Sequence, residues 1–136
     1  MVSNCDNLSP NDLSVGSLII FDDVLLKDNN NITPFFSMGR HRKLNCFYLC
    51  QTYTKIPKQL IRDNANFIIL FRQDDLNLKH VYNNHCGNDF VNFTEFKQLC
   101  NECWNMEDYA FLVIDKQSRK NKGRYRCKFD KFYIIK

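Results

Sequence analysis

The stretch Ser17-Leu-Ile-Ile-Phe-Asp-Asp-Val-Leu-Leu26 decides the fold. Four apolar residues, Leu18 to Phe21, run without alternation and end in two acids, Asp22 and Asp23. An unbroken apolar run of this length suits a strand buried on both faces of a parallel sheet. Two more runs share the pattern. Asn45 to Cys50 ends in Gln51, and Phe67 to Phe71 ends in Arg72, Gln73 and Asp74. Helical patterns separate them. Pro34 to Gly39 predicts a short helix, capped at Thr33 and stopped by Gly39. Thr54 to Asn64 predicts a helix with Pro57 in its first turn, where proline is tolerated. Strand, helix, strand, helix, strand implies an α/β chain built on a parallel sheet with right-handed crossovers.

Residues 1–16 are polar and predict an irregular amino-terminal segment. Residues 74–108 carry helical patterns, clearest over Thr94 to Trp104, where Phe96, Leu99, Cys100 and Cys103 recur at helical spacing. The carboxyl-terminal part predicts a β-hairpin: a strand over Ala110–Ile114, a loop over Asp115–Gly123 and a return strand from about Arg124 to Ile135.

The chain has 136 residues, 44% of them apolar and 14% aromatic, which is one domain's length with enough apolar material for a core. That composition excludes disorder as the default state. Only 4 Gly and 3 Pro exclude collagen-like and linker-like chains. No apolar run approaches the ~20 residues of a membrane helix, and the polar start shows no secretory signal, so no membrane partner is expected. Seven scattered cysteines, an odd number, predict reduced thiols and an intracellular compartment. Charge is uneven. Residues 1–115 carry ten Lys/Arg and fourteen Asp/Glu, whereas 116–136 carry nine Lys/Arg and one acid, Asp130. A basic end of this kind suits contact with a polyanion, or a solvated loop and guarded edge strand.

Ligands of an open parallel sheet bind outside the carboxyl ends of its strands. An apolar strand ending in two acids has the shape of the second nucleotide motif of P-loop ATPases. There the first carboxylate holds hydrated Mg²⁺ against the phosphates and the second orients the attacking water. A plain turn after a strand has the same shape. Arg40 and Arg42, before the second strand, have the charge of an arginine acting on a neighbouring subunit's nucleotide, or of a basic loop touching DNA phosphates or solvent. Gln51 suits a contact to the γ-phosphate or water, and equally a helix cap.

Four segments resemble the DNA-packaging ATPases of poxviruses and related large DNA viruses, and the similar ATPase of Maverick/Polinton elements, all within the FtsK–HerA superfamily of P-loop motors. They are IIFDD (19–23), FFSMGRH (35–41), FYLCQTY (47–53) and IPKQLIRDNANFIILF (56–71). The resemblance implies an α/β fold consisting of a partial P-loop NTPase (ASCE-type) parallel sheet over residues 17–136, with the carboxyl-terminal hairpin added. It implies Asp22 as the Mg²⁺ ligand and Asp23 as the residue acting on water. Gln51 becomes the sensor and Arg40 the trans-acting arginine, with Arg42 second. Arg62 and Asn64 serve subunit contacts or simply tie a helix end. Implied cofactors are Mg²⁺ and ATP. Implied partners are double-stranded DNA and a homo-oligomeric ring or full-length ATPase subunits.

The first motif of such motors, GxxxxGK[ST], is absent: none of Gly16, Gly39, Gly87 and Gly123 precedes Lys-Ser or Lys-Thr. That loop supplies the amides and lysine that hold the phosphates. The chain therefore resembles the carboxyl-terminal portion of a packaging ATPase, with little hydrolysis expected from it alone. The alternative is a non-catalytic module that binds nucleic acid or full-length ATPase through the basic hairpin. Arg119, Lys120, Lys122 and Arg124 are the candidate nucleic-acid contacts, with a solvated hairpin tip as the other reading. Cys100 and Cys103 have the spacing of half a zinc site, with His80, His85 and Cys86 nearby. Their place beside Leu99 and Trp104 favours core packing, and no zinc is expected.

Overall fold

A computed structural model describes residues 8–22, 32–56, 58 and 62–135. The chain forms two compact units, Met1–Asn64 and Ala65–Lys136.

In the first unit, strand β1 (Leu18–Asp22) pairs in parallel with β2 (Asn45–Leu49), Leu18 opposite Asn45 and Asp22 opposite Leu49. Helix α1 (Thr33–Met38) lies between them in sequence. Ile19 and Phe21 of β1 and Cys46 and Tyr48 of β2 face the core with Ile32, Phe35, Phe36 and Leu44. Phe21 meets Phe35 edge to face at 5.4 Å. Burying each such ring contributes about 1.5–3 kcal/mol. The expected burial on both faces is corrected. Leu18, Ile20, Phe47 and Leu49 are 46–58% exposed, because described helical structure covers one face of the pair only.

Helix α1 starts as expected, with Pro34 in its first turn, but its cap is corrected. Ile32 holds the capping position and no side chain caps the helix. Gly39 does not stop the chain either. It is right-handed and opens a 3₁₀ turn over Gly39–Arg42, and the left-handed residue is Lys43 (φ 53°). The helix predicted over Thr54–Asn64 falls partly on 57 and 59–61, outside the described residues. Tyr53–Lys55 forms a 3₁₀ turn.

In the second unit, strand β3 (Phe67–Leu70) is followed by α2 (Asp75–Val81), a π-type turn over Tyr82–Cys86, and α3 (Phe93–Trp104). Strands β4 (Leu112–Asp115), β5 (Tyr125–Cys127) and β6 (Lys131–Phe132) complete an antiparallel sheet ordered β3-β4-β5-β6. The reading of Phe67–Phe71 as a third parallel strand is thereby corrected: Phe67 lies opposite Asp115 and Leu70 opposite Leu112, running the other way. An unbroken apolar run cannot distinguish the two directions. Here it reflects one buried face and one open face, with Leu70 buried and Phe67 and Ile69 exposed.

Local chemistry explains the helices. Asp74 caps α2 by accepting from the Asn77 amide at 2.8 Å. Asn92 caps α3 by accepting from the Glu95 amide at 3.0 Å, while Glu95 accepts from the Val91 amide at 2.8 Å. Helix α3 buries Phe96, Leu99, Cys100, Cys103 and Trp104 on one face, as its spacing predicted. The hairpin forms too, but its return strand breaks. Lys128 is left-handed (φ 53°) and shifts alternation, so Phe129 is exposed rather than aligned with Tyr125 and Cys127.

Trp104 ties α3 to the sheet. Its buried Nε1 donates to the Leu70 carbonyl at 2.9 Å. Trp104→Phe removes that bond and leaves the carbonyl short of a donor. It is expected to destabilise the chain by about 1–3 kcal/mol, read as an earlier urea midpoint by circular dichroism. An unchanged midpoint would show the bond is not structural.

Candidate functional site

The first unit brings one candidate pair together. Because β1 and β2 are parallel and in register, their carboxyl ends are level. Asp22 closes β1 opposite Leu49, and Gln51 follows Leu49 by two residues. The Asp22 carboxylate is exposed and makes no ion pair with a described residue. Asp23 lies outside the described residues. Cys50 and Gln51 are exposed beside this edge.

The arginines stand elsewhere. Arg40 is exposed on the 3₁₀ turn that precedes β2, and the Leu44 amide fixes that turn by donating to the Gly39 carbonyl at 2.9 Å. Arg40 is thus at the amino end of β2 and Asp22 at the carboxyl end of the pair. Five residues of strand separate those ends by about 13 Å. Arg42 is committed to structure: its guanidinium donates to Asn11 Oδ1 and to the Leu13 carbonyl, both at 3.1 Å. The Arg62 guanidinium sits 4.9 Å from the Tyr53 ring centroid, tying its segment to the Tyr53–Lys55 turn.

In the second unit, the basic residues divide into two groups. Arg124 is half-buried. Its Nε pairs with Asp89 at 2.6 Å, and its terminal nitrogens donate to the carbonyls of His85, Lys116 and Ser118. Tyr125 is fully buried and donates to the same Asp89 carboxylate at 2.6 Å. Burial pushes the Tyr125 hydroxyl well above its ordinary range, so it remains a donor. Arg126 pairs with buried Asp115 at 2.5 Å, and Lys128 pairs with Glu107. Arg119, Lys120 and Lys122 form no ion pair with a described residue. They sit on the loop between β4 and β5, whose reversal needs the left-handed Gly123 (φ 95°).

The thiols are packing groups. Cys86, Cys100, Cys103 and Cys127 are buried, and Cys103 Sγ donates to the Phe111 carbonyl at 3.2 Å. Burial pushes the Cys86 and Cys103 thiols up to about 12 and the Cys100 thiol higher. Raised this far, they are disfavoured as thiolates, the nucleophilic form. Among the described residues, no group of three or more His, Cys, Asp or Glu is placed to hold a metal ion. No helix among them is long and apolar enough to cross a membrane.

Asp89 and Asp115 were not singled out from sequence. Each meets its arginine across 11 to 35 residues of chain, a separation that no motif spacing reveals. Phe132 stands out in sequence as an aromatic interleaved in the basic tail, whereas Phe67 reads as an ordinary strand residue; both are at least half exposed.

Comparison with protein families sets the class, which is that of the viral packaging ATPases. The chain belongs to the family described as Poxvirus A32 protein, whose model matches residues 2–114. Residues 115–136, with the basic loop, β5 and β6, follow the matched segment. No curated protein and no solved structure matches the chain.

The committed arginine separates from the loop cations by experiment. Arg124→Ala strands the Asp89 carboxylate and is expected to cost about 2 kcal/mol, whereas Lys122→Ala should leave stability within about 0.5 kcal/mol. Thermal or urea unfolding of both variants checks this. Equal stability would remove the structural role of Arg124.

Proposed function

We propose that this chain is the distal portion of an ATP-driven motor that packages a viral or mobile-element genome, acting in a homo-oligomeric ring or with full-length ATPase subunits. One observation carries the reading beyond family membership. Parallel in-register pairing sets Asp22 and the Leu49–Gln51 corner at one sheet edge, the edge where α/β sheets bind ligands.

The residues fit one half of a nucleotide site. Asp22, exposed and without an ion pair to a described residue, fits a Mg²⁺ ligand, since Mg²⁺ takes one or two carboxylates and keeps several waters. Bound there, Mg²⁺ would neutralise phosphate charge. Asp23, adjacent in sequence, is the residue proposed to accept a proton from water, and Gln51 to orient that water. The phosphate half does not fit: this sequence holds no GxxxxGK[ST], so nothing here would cradle ATP. Another polypeptide segment must supply it. The open face of Leu18, Ile20, Phe47 and Leu49 supports that arrangement, because a strand pair this small leaves apolar surface for a larger sheet to cover. Arg40, remote from Asp22 in its own unit, suits an arginine that serves a neighbour's site. Arg119, Lys120 and Lys122 would grip duplex DNA by its phosphates without reading sequence. Arg124 is left out of that set.

The missing phosphate loop favours a second reading, a non-catalytic module that binds nucleic acid or full-length ATPase through the hairpin. Phosphate release decides between them. The chain alone, with Mg²⁺, ATP and duplex DNA, should turn over no faster than its Asp23→Ala variant. Mixed with an ATPase polypeptide of the same family that carries GxxxxGK[ST] but has its own acidic pair replaced by alanine, it should restore turnover. Asp22→Ala and Asp23→Ala in this chain should abolish that rescue. Rescue that survives both substitutions would reject the assigned site. No rescue, with duplex binding retained, would leave the second reading.

Duplex binding has its own readout. Replacing Arg119, Lys120 and Lys122 by alanine should reduce the slope of log K against log salt by roughly 2 to 3, at about 0.9 per phosphate contact. Fluorescence anisotropy with a labelled duplex measures it, and an unchanged slope would exclude the loop.

A further inference from the structure

The antiparallel sheet of the second unit has one face against the helices and one open. Strand register gives the second face Phe67 and Ile69 on β3, Val113 and Asp115 on β4, Arg126 on β5 and Phe132 on β6; Val113 and Asp115 are buried at its middle, and the side chains at its margins are open. Phe67 is 50% exposed and Phe132 60%. Between these rings lies the Arg126 guanidinium, 5.9 Å from the Phe67 centroid and 5.6 Å from that of Phe132. It cannot swing away easily. Asp115 holds one terminal nitrogen, and Nε donates to the Gly123 carbonyl at 2.8 Å. The loop that carries Arg119, Lys120 and Lys122 closes directly on this face, since a Cβ at Gly123 would stand 3.4 Å from the Phe132 ring.

Two exposed rings, held apart by a fixed guanidinium and bordered by cations without ion pairs to described residues, make a poor protein-docking surface. Ile69 adds exposed apolar surface beside Phe67, but the space between the two rings is taken by the Arg126–Asp115 ion pair. They suit an unpaired nucleobase, which offers a flat face to a ring while its phosphate stays in water near a cation. A base inside a duplex is already stacked on both sides and offers no free face. We propose that this face is a stacking platform for single-stranded nucleic acid, with Phe67 and Phe132 each taking a base and Arg119, Lys120 and Lys122 meeting the phosphates. Arg126 is a positioning residue. Its charge is answered by Asp115, and its task is to hold the rings open. The proposal does not depend on the nucleotide chemistry assigned to the first unit.

Anisotropy titrations of the full chain with labelled dT15, rU15 and a 15-base-pair duplex test it. Phe67→Ala and Phe132→Ala should each weaken dT15 binding about 5- to 100-fold, the range for loss of one base–aromatic stack, and leave duplex binding unchanged. Both side chains are exposed, and circular dichroism melts confirm that the variants fold. Phe132→Trp should keep dT15 affinity, and its indole emission, over the Trp104 background, should fall when dT15 binds but not when the duplex does. Parallel losses with rU15 would extend the platform to RNA. Binding of dT15 that both alanine variants leave intact would overturn the proposal. So would equal losses on dT15 and duplex, or a self-associated state in sedimentation that the same substitutions dissociate. Failure of phosphate release in the mixed assay leaves these readouts untouched.

Discussion

A parallel pair of five-residue strands satisfies only the backbone groups that face each other, and every other feature of the first unit follows from that. In-register pairing of β1 with β2 sets Asp22 level with Leu49. On one face of the pair, α1 delivers Phe35 and Phe36 onto Phe21 and Tyr48. The opposite face keeps four large apolar side chains in water. Two strands are marginal without a third strand or a covering layer on each apolar face. The geometry that aligns a candidate metal ligand with a candidate sensor is therefore also the geometry most in need of company. Both properties accord with the proposed need for a further polypeptide segment.

Charge behaves differently along the chain than in space. The last 21 residues look like a basic tail, yet three of their cations are answered by acids from the acidic part of the sequence: Arg124 by Asp89, Arg126 by Asp115 and Lys128 by Glu107. Two of these pairs are largely buried, where breaking either partner is costly and the pair itself mainly fixes geometry. Arg124 shows the consequence. Its position in a Lys/Arg-rich run makes it a phosphate contact on paper, whereas four polar contacts and a cation–π contact make it a girder beside Tyr125. Positive charge that can meet a polyanion is left concentrated on one short loop instead of spread along a strand.

The strands β1, β2 and β4 and the helices α1 and α3 were legible because their signals are local: apolar runs, Pro34, and the spacing of Phe96, Leu99, Cys100 and Cys103. Asp22 was legible for the same reason, as the polar end of an apolar run. Strand direction was not, since Phe67–Phe71 carries the same residues whichever way its neighbour runs. The Trp104 bond to Leu70 that locks α3 under β3 spans 34 residues. Helix α1 lost its expected stop because the right-handed Gly39 let the chain continue into a 3₁₀ turn, which delays the reversal to Lys43. Candidate residues separated in the same way. Asp22 and Gln51 fall at the same end of the strand pair, as a parallel pairing of the two runs requires. Arg40 sits at the other strand end, which follows from its place before β2 once the pair is known to be parallel.

The family match ends at Ile114, inside β4, but the physics does not divide there. Leu112, Val113 and Ile114 are almost wholly buried. On one side β3 pairs with them; on the other β5 does, and Tyr125 fills the space between the sheet and Phe90 at 5.1 Å. Without β5, the backbone of β4 would face water along one edge, and Asp89 and Asp115 would lose their cations. The segment beyond the matched residues is thus part of the core of its unit. Because β5 must pair with β4, Arg126 must fall on the open face, and the loop that precedes it must close beside Phe132. The aromatic face and its basic border are consequences of completing the sheet, which is why they are fixed by the fold and not by the tail's composition.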